Sequence, residues 1–155
     1  MQYRLWNLEN DYDTLVQWWT DWKFGVVPKE CLPPDGIIVE EDGKSICAGG
    51  LYIGVGTQFA FMEWIVTDQQ ADKRAVHKAL KMCIDAIMEL AKSKGMKLVY
   101  TATKEKELHK RYVKFHNMIL AETGVKTFLR DFDGNYSKDL LWISEEEQLK
   151  KQHKD

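Results

Sequence analysis

WIVTDQQADKRAVHKALKMC, residues 64–83, changes character twice. Trp64, Ile65, Val66 and Thr67 are aromatic or β-branched, the types that suit a pleated, half-buried strand. A polar stretch from Asp68 to Ala71 follows. From Lys73 onward the apolar positions Val76, Leu80, Cys83, Ile87 and Leu90 step by four, three, four and three, the seam of a helix lying on a sheet. Strand, polar loop and amphipathic helix together form the first half of a βαβ unit. Gly95 ends the helix with lysines in its last turn, and residues 97–101 supply a second strand, parallel to the first.

Working outward, residues 59–66 are the body of the first of these strands. Residues 36–41 and 45–53 are apolar runs separated by Glu41-Asp42-Gly43-Lys44, and the Asp-Gly pair signals a hairpin. Residues 2–8 alternate as a strand does. Asn10 or Asp11 is placed to cap a helix carrying Leu15, Trp18, Trp19 and Trp22, with Trp18 and Trp22 one turn apart on a shared core face. Gly25, Pro28, Pro33 and Pro34 mark an irregular crossing of the kind that lines a substrate mouth. Downstream, Leu108, Tyr112 and Phe115 mark the last helix, residues 118–120 and 126–132 read as a closing strand pair, and 140–143 as an edge strand. The fold class expected is α/β (α+β), one domain over 1–144 in the order β, α, three antiparallel strands, α, β, α, β. A charged tail, 145–155, follows.

Composition narrows the chemistry. The 155 residues are 45% apolar and 12% aromatic, enough for one substantial core. With 22 basic and 24 acidic residues the net charge is −2, so no global positive field points to nucleic acid or an anionic membrane. Cys31, Cys47 and Cys83 contain no C-x-x-C pair, which fits a reducing, cytoplasmic setting better than a disulfide framework or zinc site. No apolar run is long enough to span a bilayer. The patterns G-x-S-x-G, G-x-x-x-x-G-K-[ST] and H-E-x-x-H are all missing. His77, His109, His116 and His153 form no paired ligand set and read as exposed polar residues.

The element order, the stretch Glu63-Trp64-Ile65-Val66-Thr67 with its loop and Lys78-Ala79-Leu80, and the hairpin running into Ala48-Gly49-Gly50-Leu51-Tyr52 resemble the GCN5-related N-acetyltransferase (GNAT) family. The resemblance spans roughly residues 1–132 and is to divergent members with short chains and degenerate loops, such as those encoded by phages. It implies a mixed sheet with an antiparallel front half, acetyl-CoA as co-substrate, and a primary amine of a small molecule or protein as acceptor, in a monomer or homodimer. The family's loop signature is Arg or Gln, two residues, Gly, one residue, then Gly or Ala. In helical register Asp72, Ala75 and His77 fall on its fixed positions, and none matches. A shifted register from Gln70 to Ala75 matches better but puts Lys78 where the family keeps an apolar residue, so helix phase rejects it.

Coenzyme A carries a diphosphate, which the backbone N–H groups of a helix N-terminus can bind. By resemblance the cofactor-binding stretch is Asp72, Lys73, Arg74, Ala75, Val76, His77 and Lys78, in which Lys73, Arg74 and Lys78 either offset the lost glycines with charge or form a solvated helix start. Ile65, Val66 and Thr67 are the implied backbone partners of the pantetheine arm. Glu63, among Phe61, Met62, Trp64 and Ile65, is either a desolvated general base or a carboxylate on a solvent-facing side. Tyr112 falls on the family's tyrosine position, with Glu105, Leu108 and His116 replacing its other fixed residues. It is either the acid for the departing thiolate or a packed ring. Two functions follow: an N-acetyltransferase, or a catalytically silent domain of the same fold used as a binding or structural module, for instance in a virion.

Overall fold

The structure is a computed structural model and describes residues 1–134. The predicted edge strand at 140–143, the tail and His153 lie outside the described residues. In chain order the elements are β1 (Gln2–Leu5), α1 (Leu8–Asp21), a 3-10 turn (Lys29–Cys31), β2 (Asp35–Glu41), β3 (Lys44–Ile53), β4 (Phe59–Thr67), α2 (Lys73–Ser93), β5 (Leu98–Tyr100) and α3 (Lys106–Phe115). The five strands form one sheet in sequence order, antiparallel throughout except for the parallel β4–β5 pair. Alternation along the strands feeds two cores. Ile38, Ala48 and Val66 pack with Leu15, Trp18 and Trp19 of α1 on one face. On the other, Ile37, Val39, Cys47 and Met62 pack with Cys83, Ile84 and Ile87 of α2 and Tyr112 of α3.

Three local expectations are corrected. The first strand stops at Leu5, and Asn7, not Asn10 or Asp11, caps α1 by accepting from the Glu9 amide at 3.0 Å. Asp11 sits a turn inside the helix, where it accepts 2.8 Å bonds from both Arg4 amino groups and a 2.6 Å bond from the Asn7 amide. It ties β1 to α1, a role that its position before an apolar run does not reveal. Trp22 leaves the core face: it is 40% exposed, and its indole N–H donates to the Thr67 carbonyl at 2.8 Å.

The expected strand pair at 118–120 and 126–132 is not formed among the described residues; Ile119, Leu120, Phe128 and Phe132 are exposed there. Periodicity alone predicted those strands, whereas a strand also needs a partner edge, and β5 offers three residues. His116 is corrected too. Its side chain is 1% exposed, and Nδ1 is bonded to Asp85 of α2 at 2.9 Å. Burial holds its pKa below the ordinary value, against the pull of Asp85.

The feature that shapes the rest of the molecule is a β-bulge in β4. Ala48 pairs with Val66 but Gly50 pairs with Glu63, so Gly49 alone faces both Trp64 and Ile65. Trp64 adopts φ 62°, a left-handed conformation that costs a non-glycine residue roughly 1–2 kcal/mol. The extra residue resets the strand's phase. Met62 and Ile65 both face α2, while Trp64 and Val66 face α1. Gly49 makes room for this: a Cβ there would lie 2.3 Å from Ile65 Cδ1 and 2.8 Å from Ile87 Cδ1. Substituting Gly49→Val therefore forces the bulge and α2 apart and should cost about 1–3 kcal/mol, measured as a lowered urea midpoint with an unchanged m-value.

Candidate active site

The β4–β5 ladder stops before the bulge, where β5 ends at Tyr100. These two strands pair only over Phe59–Leu98, Ala60–Val99 and Phe61–Tyr100. From Met62 to Thr67 the outer edge of β4 faces no strand among the described residues, leaving a wedge that opens toward the start of α2. Main-chain donors and acceptors along such an edge are a template for an extended ligand. Ile65 is half-buried, and Val66 and Thr67 are buried. The Thr67 carbonyl is taken by Trp22, and the Asp68 amide donates to the Ile46 carbonyl at 2.8 Å, which fixes the end of β4.

Glu63 lies where the wedge begins. Burial pushes its pKa up from 4.5 to about 7, against the pull of a hydrogen bond from the Ala102 backbone. The sequence left open a desolvated carboxylate or a solvent-facing one, and Glu63 is half-buried. Beside it, Trp64 Nε1 donates to the Tyr52 hydroxyl at 2.8 Å, which in turn donates to the Cys31 carbonyl at 2.7 Å. Burial raises the Tyr52 pKa and the Glu63 charge adds to the rise. Tyr52 thus joins the site, unforeseen because its position in β3 gives no motif.

Tyr112 is buried in the α2-side core. Desolvation holds its phenol pKa well above the ordinary range; a hydrogen bond with Thr101 opposes this and the Glu63 charge adds to it. The hydroxyl therefore keeps its proton at physiological pH. A protonated phenol can donate a hydrogen bond, and burial in the core is equally what a packed ring requires.

At the start of α2 the polypeptide supplies its own anion. Asp72 is the N-cap, and its Oδ1 accepts from the Arg74 and Ala75 amides at 3.0 and 3.1 Å. The first-turn amides that a phosphate would use are occupied by a carboxylate. Ala75 and Val76 are half-buried beneath, whereas Lys73, Arg74, His77 and Lys78 line a shallow depression of about 440 Å³. Arg111 of α3, which no sequence pattern singled out, reaches this corner and donates to His77 Nδ1 at 2.6 Å.

No protein-family profile matches the sequence, and no curated protein is similar to it in sequence. Solved structures share its fold. The Mycobacterium tuberculosis protein Rv2747 in complex with CoA is 16% identical, with a TM-score of 0.60 over 81% of this chain and 76% of that one. A putative acetyltransferase from Agrobacterium tumefaciens is 15% identical, at 0.63 over 83% and 100%. Glucosamine-6-phosphate N-acetyltransferase from Arabidopsis thaliana is 14% identical, at 0.58 over 83% and 98%. The chain therefore has the GNAT acetyltransferase fold, as its element order led us to expect.

The Asp72 cap has a measurable consequence. Replacing Asp72 by Ala should remove about 0.5–2 kcal/mol of stability, while Asp72→Ser should retain most of it because a hydroxyl still caps the helix. Thermal melts of the two variants beside the parent check the difference. Equal losses in both would show that the carboxylate does something other than cap.

Proposed function

We propose that this protein is an N-acetyltransferase using acetyl-CoA as co-substrate and a primary amine of a small molecule or protein as acceptor. The observation that carries the reading is Glu63, a carboxylate with a pKa of about 7 at the head of an unpaired β4 edge. An alkyl ammonium with pKa near 10.4 is unprotonated to only about one part in a few thousand at neutral pH. Glu63, ionised in about half the molecules at pH 7, can take the ammonium proton directly or through one water. The freed nitrogen attacks the thioester carbonyl carbon; as the C–S bond breaks, the amide forms, the CoA sulfur leaves as thiolate, and the second nitrogen proton is lost to water and ends on that thiolate, giving the CoA thiol.

The outer edge of β4 at Ile65 and Val66, which has no strand beside it among the described residues, supports binding of the pantetheine arm along β4, with Thr67 at its end held by Trp22. Tyr112, neutral and buried behind the wedge, donates toward the departing sulfur. Its phenol is a weaker acid than an ordinary thiol of pKa about 8.5, so it stabilises the thiolate by hydrogen bonding more than by completed proton transfer. Bound CoA neighbours such as that of Rv2747 support the co-substrate. The free thiols Cys31, Cys47 and Cys83 support a cytoplasmic setting, and no helix among the described residues is long and apolar enough to cross a membrane. One observation favours the second reading, a catalytically silent module of the same fold: the Asp72 carboxylate sits on the amides a diphosphate would need.

Glu63→Gln separates catalysis from structure. As a base, Glu63 should give a kcat/KM that rises with pH through about 7 and then levels, and the Gln variant should lose about 10²–10⁴ in rate and that pH dependence. Stability should move the other way. Because the folded pKa is raised, the native state binds more protons than the unfolded one between 4.5 and about 7, so parent stability falls as pH rises through that window. At pH 8 the Gln variant should therefore melt higher than the parent. A variant that is more stable yet equally active would remove Glu63 from the chemistry. Absence of calorimetric heat with millimolar acetyl-CoA would favour the silent module.

A further inference from the structure

We propose that His116 is a positioning residue for Tyr112: its imidazole, bonded to Asp85, docks the end of α3 on α2 and so holds the Tyr112 hydroxyl toward the departing sulfur. The proposal rests on the acetyl-transfer reading and names what keeps its donor in place. His116 is the C-cap of α3, one turn beyond Tyr112. Both side chains turn inward: Tyr112 belongs to the α2-side core, and the imidazole is 1% exposed. The helix has ten residues, too few to hold its shape alone in water, and no side chain caps its N-terminus. Its place is therefore set by its contacts with the body. At the C-terminal end His116 Nδ1 meets Asp85 Oδ1 of α2 at 2.9 Å. The Met118 amide donates to the Tyr112 carbonyl at 3.0 Å, so the turn that carries the imidazole is fastened to the tyrosine itself. Arg111 and Phe115 anchor another side of α3 to His77. Loss of the His116 bond thus leaves the helix attached but free to shift about that second anchor.

The geometry also fixes the state in which the ring works. An ionised carboxylate only accepts, so Nδ1 carries the proton and Nε2 the lone pair. Nε2 is the one buried side-chain nitrogen or oxygen among the described residues with no hydrogen-bond partner. A second proton would put an N–H where no acceptor on the protein meets it, which is costly in a buried place. The neutral ring is therefore the docking form. Its charged surroundings are Asp85 and Lys81 from α2 and Arg111 from α3; Asp85 favours a charged ring, while the two cations oppose it. Burial is the largest influence and holds the pKa below 6.5. The docked ring thus binds fewer protons than a free imidazole between 6.5 and its lowered value. The clasp holds fully above pH 6.5 and loosens as pH falls through that window.

The test is a double-mutant cycle of His116→Phe and Tyr112→Phe, with acetyl transfer from acetyl-CoA to n-butylamine, spermidine and a lysine-containing peptide followed by release of the CoA thiol. Phe at 116 keeps a ring in the interface and removes the donor. His116→Phe should lower kcat about tenfold, the worth of one hydrogen bond to a charged group, with KM for acetyl-CoA within about twofold of the parent. His116→Asn, whose amide can still donate to Asp85, should recover most of that loss. In the Tyr112→Phe background, His116→Phe should change kcat by less than about twofold, because nothing is left to position. Should His116→Phe fail to fold, Asp85→Ala, at a half-exposed position, removes the same bond from the α2 side and should give the same two results. In ¹⁵N spectra of the parent, the His116 ring should be protonated at Nδ1 and titrate below 6.5. Effects that multiply in the double variant, or a ring protonated at Nε2, would overturn the positioning role while the acetyl-transfer reading stands. A Tyr112→Phe variant as fast as the parent would remove both Tyr112 and His116 from the chemistry. A parent that acetylates none of these amines would bring down the acetyl-transfer reading and this assignment together.

Discussion

One surplus residue in β4 governs the architecture. Where Gly49 faces both Trp64 and Ile65, the strand must absorb an extra step, and it does so by driving Trp64 to positive φ. The cost is local strain and a position in β3 where any Cβ would press on the Ile65 and Ile87 side chains. The return is twofold. Glu63 and Trp64 are brought beside Tyr52, and the bulge falls on the stretch of β4 that lies beyond its ladder with β5, along the wedge.

The charged groups around this wedge are arranged by environment. Glu63 is held in a setting that makes ionisation expensive, stabilised by the Ala102 backbone but not by a cation. Tyr112 is made less acidic by the same burial. The same cause thus raises both groups, the carboxylate to about 7 and the phenol above its ordinary range. The cations Lys73, Arg74, Lys78 and Arg111 gather at the α2–α3 corner, at the start of α2.

Much of this was legible in the sequence because it is local. The step pattern from Val76 to Leu90 gives α2 almost to its ends, and Asp42-Gly43 fixes the β2–β3 hairpin. Glu63 was only half legible: its apolar neighbours place it on a strand, but Phe61 in the same run is 40% exposed, so which face is covered had to come from the tertiary packing. The bulge was not, since two-against-one pairing depends on register between β3 and β4. Arg111 escaped notice because it meets His77 across 34 positions of sequence, and nothing on α3 announces the contact. The cap of α1 was misplaced by a few residues because Asn7, Asn10 and Asp11 all carry suitable oxygens, and tertiary bonding to Arg4 decides among them. The strands expected at 118–120 and 126–132 show the converse error: an alternating pattern specifies a strand only where a neighbouring edge exists to receive it.

The central claim is that the unpaired edge of β4 receives the acyl carrier. Amide chemical-shift mapping of the ¹⁵N-labelled protein during titration with CoA tests it most directly. The account predicts the largest shifts, and slowed amide exchange, within residues 62–67, with smaller changes at the start of α2 and around Arg111. Binding that leaves the 62–67 amides unmoved, with changes confined to other surfaces, would contradict it.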